Sequence, residues 1–290
     1  MATTTTTPLP FQLRQRRIVT ACSSCNDPRA KARGFSLVEL AIAVFIMALL
    51  LGGLLVPLGS QVESRKIDET QRILDQAREA LLGYVAANGY FPCPASASSN
   101  GQEPATTDHT AGTCPASVLG TGAYVGFLPA VTLGFTPVDT SGYALDAWGF
   151  QQNRIRYAVA NANVTATSSC PVALTTPFTR INGMRRVTMG CIQTLTTLLY
   201  VCSTGTGVSS TGCASTTTEL SDNSIAVIWS LGANAPTGGS SPHEDKNIDN
   251  DRVFVLAPYS KASGSVFDDQ ITWIGPPMLF SRLVGAGMLP

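Results

Sequence analysis

Residues 34–58, GFSLVELAIAVFIMALLLGGLLVPL, carry a single charge in about two dozen positions, the carboxylate of Glu39. A helix of that length, at ~1.5 Å per residue, crosses a hydrocarbon core of ~30 Å. A helix apolar on every side must be covered by lipid or by other apolar helices. A lone carboxylate in such a segment costs at least ~2.5 kcal/mol near a bilayer centre, so it calls for a partner. Glu39 lies early in the run, near its boundary, where a cation can reach it.

Charge sets the orientation of this segment. Residues 1–34 hold six basic side chains (Arg14, Arg16, Arg17, Arg29, Lys31, Arg33) against Asp27, a net of +5, and the rest of the chain carries −5. Positive charge before an apolar helix marks the cytoplasmic side, which places the remainder outside the inner membrane. The exported part lacks the basic stripe that nucleic-acid binding needs, so no nucleic-acid partner is expected. A secretory signal peptide would have a shorter apolar core with its cut after the run. A plain anchor leaves Gly34, Phe35 and Glu39 unexplained.

The pattern G-F-S-L-V-E-L, preceded by Arg29, Lys31 and Arg33, resembles the cleavage and assembly motif of type IV prepilins and type II secretion pseudopilins. The resemblance implies a leader over 1–34 removed by a prepilin peptidase after Gly34, and methylation of the new amino terminus at Phe35. It also implies assembly through Glu39 with other pilin or pseudopilin subunits on an inner-membrane platform. The expected organisation is a transmembrane and assembly helix over 35–58, its amphipathic continuation and cap over 59–94, and a periplasmic head over 95–290. A head this large favours a minor subunit of a pseudopilus or pilus. The rival reading is a membrane-tethered binding or adhesive domain that never polymerises.

Beyond the apolar run, Ile73, Ala77, Ala80, Leu81, Tyr84 and Val85 recur at helical spacing and predict one buried face. Asn88-Gly89 supplies a cap, and Pro92 and Pro94 forbid continuation. Strand patterns follow at 153–160, 225–231, 252–257 and 270–274, with a possible pair near 186–192 and 197–202 and a short helix over 277–288. The expected class is α+β, a long helix against a small antiparallel sheet with long disulfide-stapled loops. Six exported cysteines, Cys93, Cys114, Cys170, Cys191, Cys202 and Cys213, read as up to three disulfides, with Cys93 and Cys114 near enough in sequence to close one loop. Cys22 and Cys25 fall in the leader and receive no structural role.

Two islands extend the resemblance into the head. Asp146-Ala147-Trp148-Gly149 followed by Arg156-Tyr157 is similar to a D-x-W-G…Y segment of major pseudopilins. Ser230-Leu231-Gly232-Ala233-Asn234 with Asp268-Asp269-Gln270-Ile271-Thr272-Trp273 is similar to their C-terminal stretch, whose intervening loop binds calcium. The ligand set this implies is Leu231, Asn234, Asp249, Asp251, Asp268 and Asp269, although Asn234 stands where the family usually has Asp. The residues themselves offer Glu244, Asp245, Asn247, Asp249, Asn250, Asp251 and Asp268 as oxygen donors, of which calcium takes six to eight. An EF-hand is excluded, because Asn250 holds the glycine position and Leu256 the closing one. No G-x-S-x-G, HExxH or phosphate-binding glycine loop occurs, so no enzymatic activity is expected.

Overall fold

The computed structural model describes residues 34–289 except 169, 193, 194, 196 and 240, and the side chains of 53–58 also lie outside the described residues. Residues 1–33, with Cys22 and Cys25, fall outside them too. The chain divides into two compact units, Met1–Leu55 and Val56–Pro290.

A 52-residue helix, α1 (Leu37–Asn88), begins after the non-helical residues 34–36. It ends where the sequence supplies its stop: Gly89 takes a left-handed φ of 79° and donates its N–H to the Val85 carbonyl. Within the second unit α1 buries Leu74, Ala77, Leu81, Leu82 and Val85. The stripe is therefore centred one residue beyond the predicted one, with Ile73 and Ala80 on its flank.

Downstream follow β1 (Ala123–Phe127), the turn α2 (Ala130–Leu133), β2 (Arg156–Ala160), β3 (Asn163–Val164), β4 (Leu174–Thr175) and α3 (Met189–Ile192). Then come β5 (Leu199–Cys202), β6 (Glu219–Ser224), β7 (Ala226–Ser230), α4 (Pro242–Asp245), β8 (Val253–Val255), β9 (Gln270–Ile274) and α5 (Pro276–Gly285). The main sheet is antiparallel in the order β1-β2-β7-β9. All five residues of central β7 are buried, in keeping with the apolar run AVIW that precedes Ser230. The core joins the buried face of α1 to Tyr157, Ile228, Trp229 and Leu279. Polar ties reinforce it: Arg78 Nη1 donates to Thr272 Oγ1 at 2.7 Å, and Tyr157 Oη to the Pro92 carbonyl at 3.2 Å.

Two expectations are corrected, and one strand is new. The segment near 186–192 is the short helix α3 with a 3-10 turn before it, and its Cys191 pairs with Cys170. β5 therefore finds its partners elsewhere. β8 leaves the main sheet and joins β5 in a second sheet ordered β6-β5-β8, where β5 and β8 run parallel. β1 was not anticipated. The disulfides are Cys93–Cys114, Cys170–Cys191 and Cys202–Cys213. Closing loops of this size contributes ~3 kcal/mol each by the chain-entropy account.

Candidate functional site

The N-terminal segment is the first site. Gly34, Phe35 and Ser36 lie outside any helix or strand and are exposed, and the bond after Gly34 lies two residues before the helix begins. Ser36 caps that helix: its Oγ accepts the Glu39 backbone N–H at 3.1 Å, and its carbonyl accepts from Leu40. Ser36 to Glu39 has the S-x-x-E spacing of a capping box, a signal the sequence reading passed over. Glu39 thus has a local station in the first turn, where a negative charge suits the helix dipole. Around it the apolar side chains stand in the open, Phe35 80% and Leu37 86% exposed, and Val38, Val44, Phe45 and Leu50 all exposed. Among the described residues no helix is long and apolar enough to cross a membrane. The side chains of 53–58, which complete the apolar run in the sequence, lie outside them.

The second site is polar and lies where the two head islands meet. Asp146 is buried and saturated: Oδ1 accepts the N–H groups of Trp148 and Gly149, and Oδ2 accepts Asn153 Nδ2 at 2.8 Å and Ser230 Oγ at 2.5 Å. Burial nevertheless pushes its carboxyl above the usual range. Ser230 Oγ in turn accepts the Gly232 N–H at 3.1 Å. Gly232 has φ of 66°, and a Cβ there would lie 2.5 Å from the Asp268 carbonyl oxygen, so only glycine fits. This turn presents the N–H groups of Ala233 and Asn234 to Asp268 Oδ2, at 2.9 and 3.2 Å.

Glu244, Asp268 and Asp269 converge, each with a carboxylate oxygen within 4.8 Å of the others. α4 positions Glu244, since Ser241 Oγ caps that turn by accepting the Glu244 N–H. Burial, with Glu244 alongside, pushes Asp268 up to about 6, and burial pushes Asp269 well above the carboxylate range. Asp268 Oδ1 is buried without a hydrogen-bond partner. Crowded acids with an open acceptor fit a hard divalent cation.

Of the residues proposed from sequence as ligands, Asp268 and Asp269 belong to this cluster. Asn234 borders it, donating Nδ2 to Glu244 Oε1 at 2.7 Å, and the buried Leu231 begins the turn. Asp249 and Asp251 do not join it. Lys246 bridges both, to Asp251 at 2.6 Å, and Asp251 Oδ1 accepts the Val253 N–H. Glu244 fills the gap they leave. Asn247 holds the neighbourhood together, donating to Asp269 Oδ2 at 2.6 Å and exchanging two hydrogen bonds with Val255.

An exposed apolar helix opening on a G-F-S-x-x-E segment, and an α+β head stapled by disulfides, are consistent with a pilin-like fold. The family model for the prokaryotic N-terminal methylation motif matches residues 29–55, consistent with the type IV pilin and pseudopilin family. No curated protein and no solved structure matches the chain.

Proposed function

We propose that the chain is a pilin-like structural subunit, cut by a prepilin peptidase after Gly34, methylated on Phe35 and assembled through α1 as a minor component of a pseudopilus or pilus. The match of the methylation motif over 29–55 carries this reading. The exposed, non-helical Gly34-Phe35-Ser36 segment supports it, since a peptidase needs unwound backbone at the scissile bond. The exposed apolar first half of α1 supports assembly, because lipid before extraction and neighbouring helices afterwards offer it equivalent surroundings. The role is structural rather than enzymatic, with an anchored N-terminus and an exported head. Co-expression with a prepilin peptidase is expected to convert the chain to a form shorter by the leader. A chain of unchanged size would overturn the reading.

The acidic cluster supports a second role within the same subunit. Glu244, Asp268 and Asp269 would hold a calcium ion, which would supply the positive charge that these crowded carboxylates lack. Protons compete for the same oxygens, because Asp268 takes one up near pH 6. Calcium is therefore expected to raise the melting temperature at pH 7.5 by several degrees and to do much less at pH 5. The shift should vanish in Asp268→Asn. An equal shift in wild type and variant, or none at pH 7.5, would count against the site.

A further inference from the structure

His109 is wired for a proton on both ring nitrogens. It stands in the loop closed by the Cys93–Cys114 disulfide, on a short turn whose ends pair Asp108 with Thr113. Its Nδ1 lies 2.7 Å from the Thr179 carbonyl oxygen, which can only accept, so Nδ1 carries a proton. Its Nε2 is buried and lies 2.9 Å from Glu103 Oε1. A neutral ring with its proton on Nδ1 turns a lone pair toward that carboxylate, whereas a cationic ring turns an N–H. The ring also lies against Tyr90, centroids 4.1 Å apart, and Tyr84 of α1 meets Tyr90 edge-on.

The charged and titratable groups around the ring are Glu103 and Asp108 on its own loop, Tyr84 and Tyr90, and Arg180 beside Thr179. Arg180 directs Nη1 to the Thr175 hydroxyl at 3.2 Å and the Ala111 carbonyl at 3.5 Å. Glu103 also accepts the Cys93 N–H, which roots the contact at the disulfide. His243 is wired the other way: the Gly205 N–H donates to its Nδ1 at 2.8 Å, so that nitrogen presents a lone pair.

We propose that His109 is a proton-controlled clasp that ties the 108–113 turn to Glu103 across the loop while its ring is cationic, and loosens that loop when the ring loses the Nε2 proton, the Nδ1–H bond to Thr179 persisting in both states. Neighbouring bonds limit the response to loosening, because they do not titrate: Ile181 N–H to His109 O at 2.8 Å and Thr176 Oγ1 to Ala111 O at 3.0 Å. Burial works against the charged ring, but Glu103, the Thr179 carbonyl and Asp108 outweigh it and hold His109 above the usual histidine range. A raised folded-state value means that the clasp contributes fully below the ordinary value of ~6.5. It is lost as pH rises through the folded one.

The chain has two histidines, so ring C–H resonances of the full-length protein in micelles can be followed against pH and assigned with His243→Gln. His109 is expected to titrate above ~6.5. As it does so, amide exchange at Ile181 and Thr113 should accelerate roughly tenfold beyond the intrinsic base-catalysed rise, the scale of one lost charged hydrogen bond. Glu103→Gln, which keeps an acceptor for Cys93, should lower the His109 titration and flatten the exchange profile. A His109 titration at or below ~6.5 would overturn the clasp. So would loop exchange that ignores the titration, or a profile unchanged in Glu103→Gln.

Discussion

Replacing Gly34 with valine is expected to leave the chain uncut, with the mature form falling to background while the membrane-associated precursor accumulates. The effect comes from the peptidase and not from this chain's fold. A Cβ added at Gly34 meets nothing within 4 Å, and the segment lies ahead of the first helical turn. A branched side chain at that position therefore costs the substrate nothing but enters the enzyme's cleft at the scissile bond. Gly34→Ala, smaller by two methyl groups, should retain part of the processing. Immunoblots of membrane fractions resolve precursor from mature chain. A mature fraction equal to wild type in the valine variant would mean that the cut lies elsewhere.

Replacing Glu39 with leucine should leave cleavage and insertion intact yet remove the chain from filaments. In the bilayer the change deletes a costly charge, so insertion improves if anything. In an assembled bundle the amino terminus of a neighbouring Phe35 would be left buried without its partner, at ~3–5 kcal/mol. At ~1.4 kcal/mol per factor of ten, incorporation falls by about a hundredfold or more. The structure adds a control. The cap that starts α1 runs from the Glu39 backbone N–H to Ser36 Oγ, so leucine keeps it and loses only a favourable dipole contact of ~0.3–1 kcal/mol. Equal recovery of both proteins in sheared filament fractions, at matched membrane levels, would remove the assembly role from this residue.

What could be read in advance followed from local signals. The end of α1 at Asn88 was legible because Asn88-Gly89 and two prolines act within a few residues. β9 was legible because QITWI is rich in β-branched and aromatic residues. β1 was hidden: Gly126 interrupts it, and that glycine is required because a Cβ would lie 2.6 Å from the Ala95 carbonyl oxygen. The parallel pairing of β5 with β8 was equally hidden, since parallel partners are distant in sequence and leave no turn between them.

The acidic cluster shows the same limit. A run that alternates Asp245, Asn247, Asp249 and Asp251 looks like one ligand set, yet Lys246 lies within it and bridges two of those acids. Glu244 reaches the cluster through the cap on α4, which depends on Ser241 three residues earlier. That spacing repeats the Ser36 to Glu39 cap at the start of α1. In both places S-x-x-E was available to read, and in both it positions a carboxylate.

The mass of the N-terminal peptide of this chain, recovered from sheared filaments, tests the central claim most directly. The account predicts a peptide that begins at Phe35 and carries one methyl group on its amino nitrogen, with no peptide from the leader. A chain that still begins ahead of Phe35, or that stays entirely in the membrane fraction when filaments are sheared away, would contradict it.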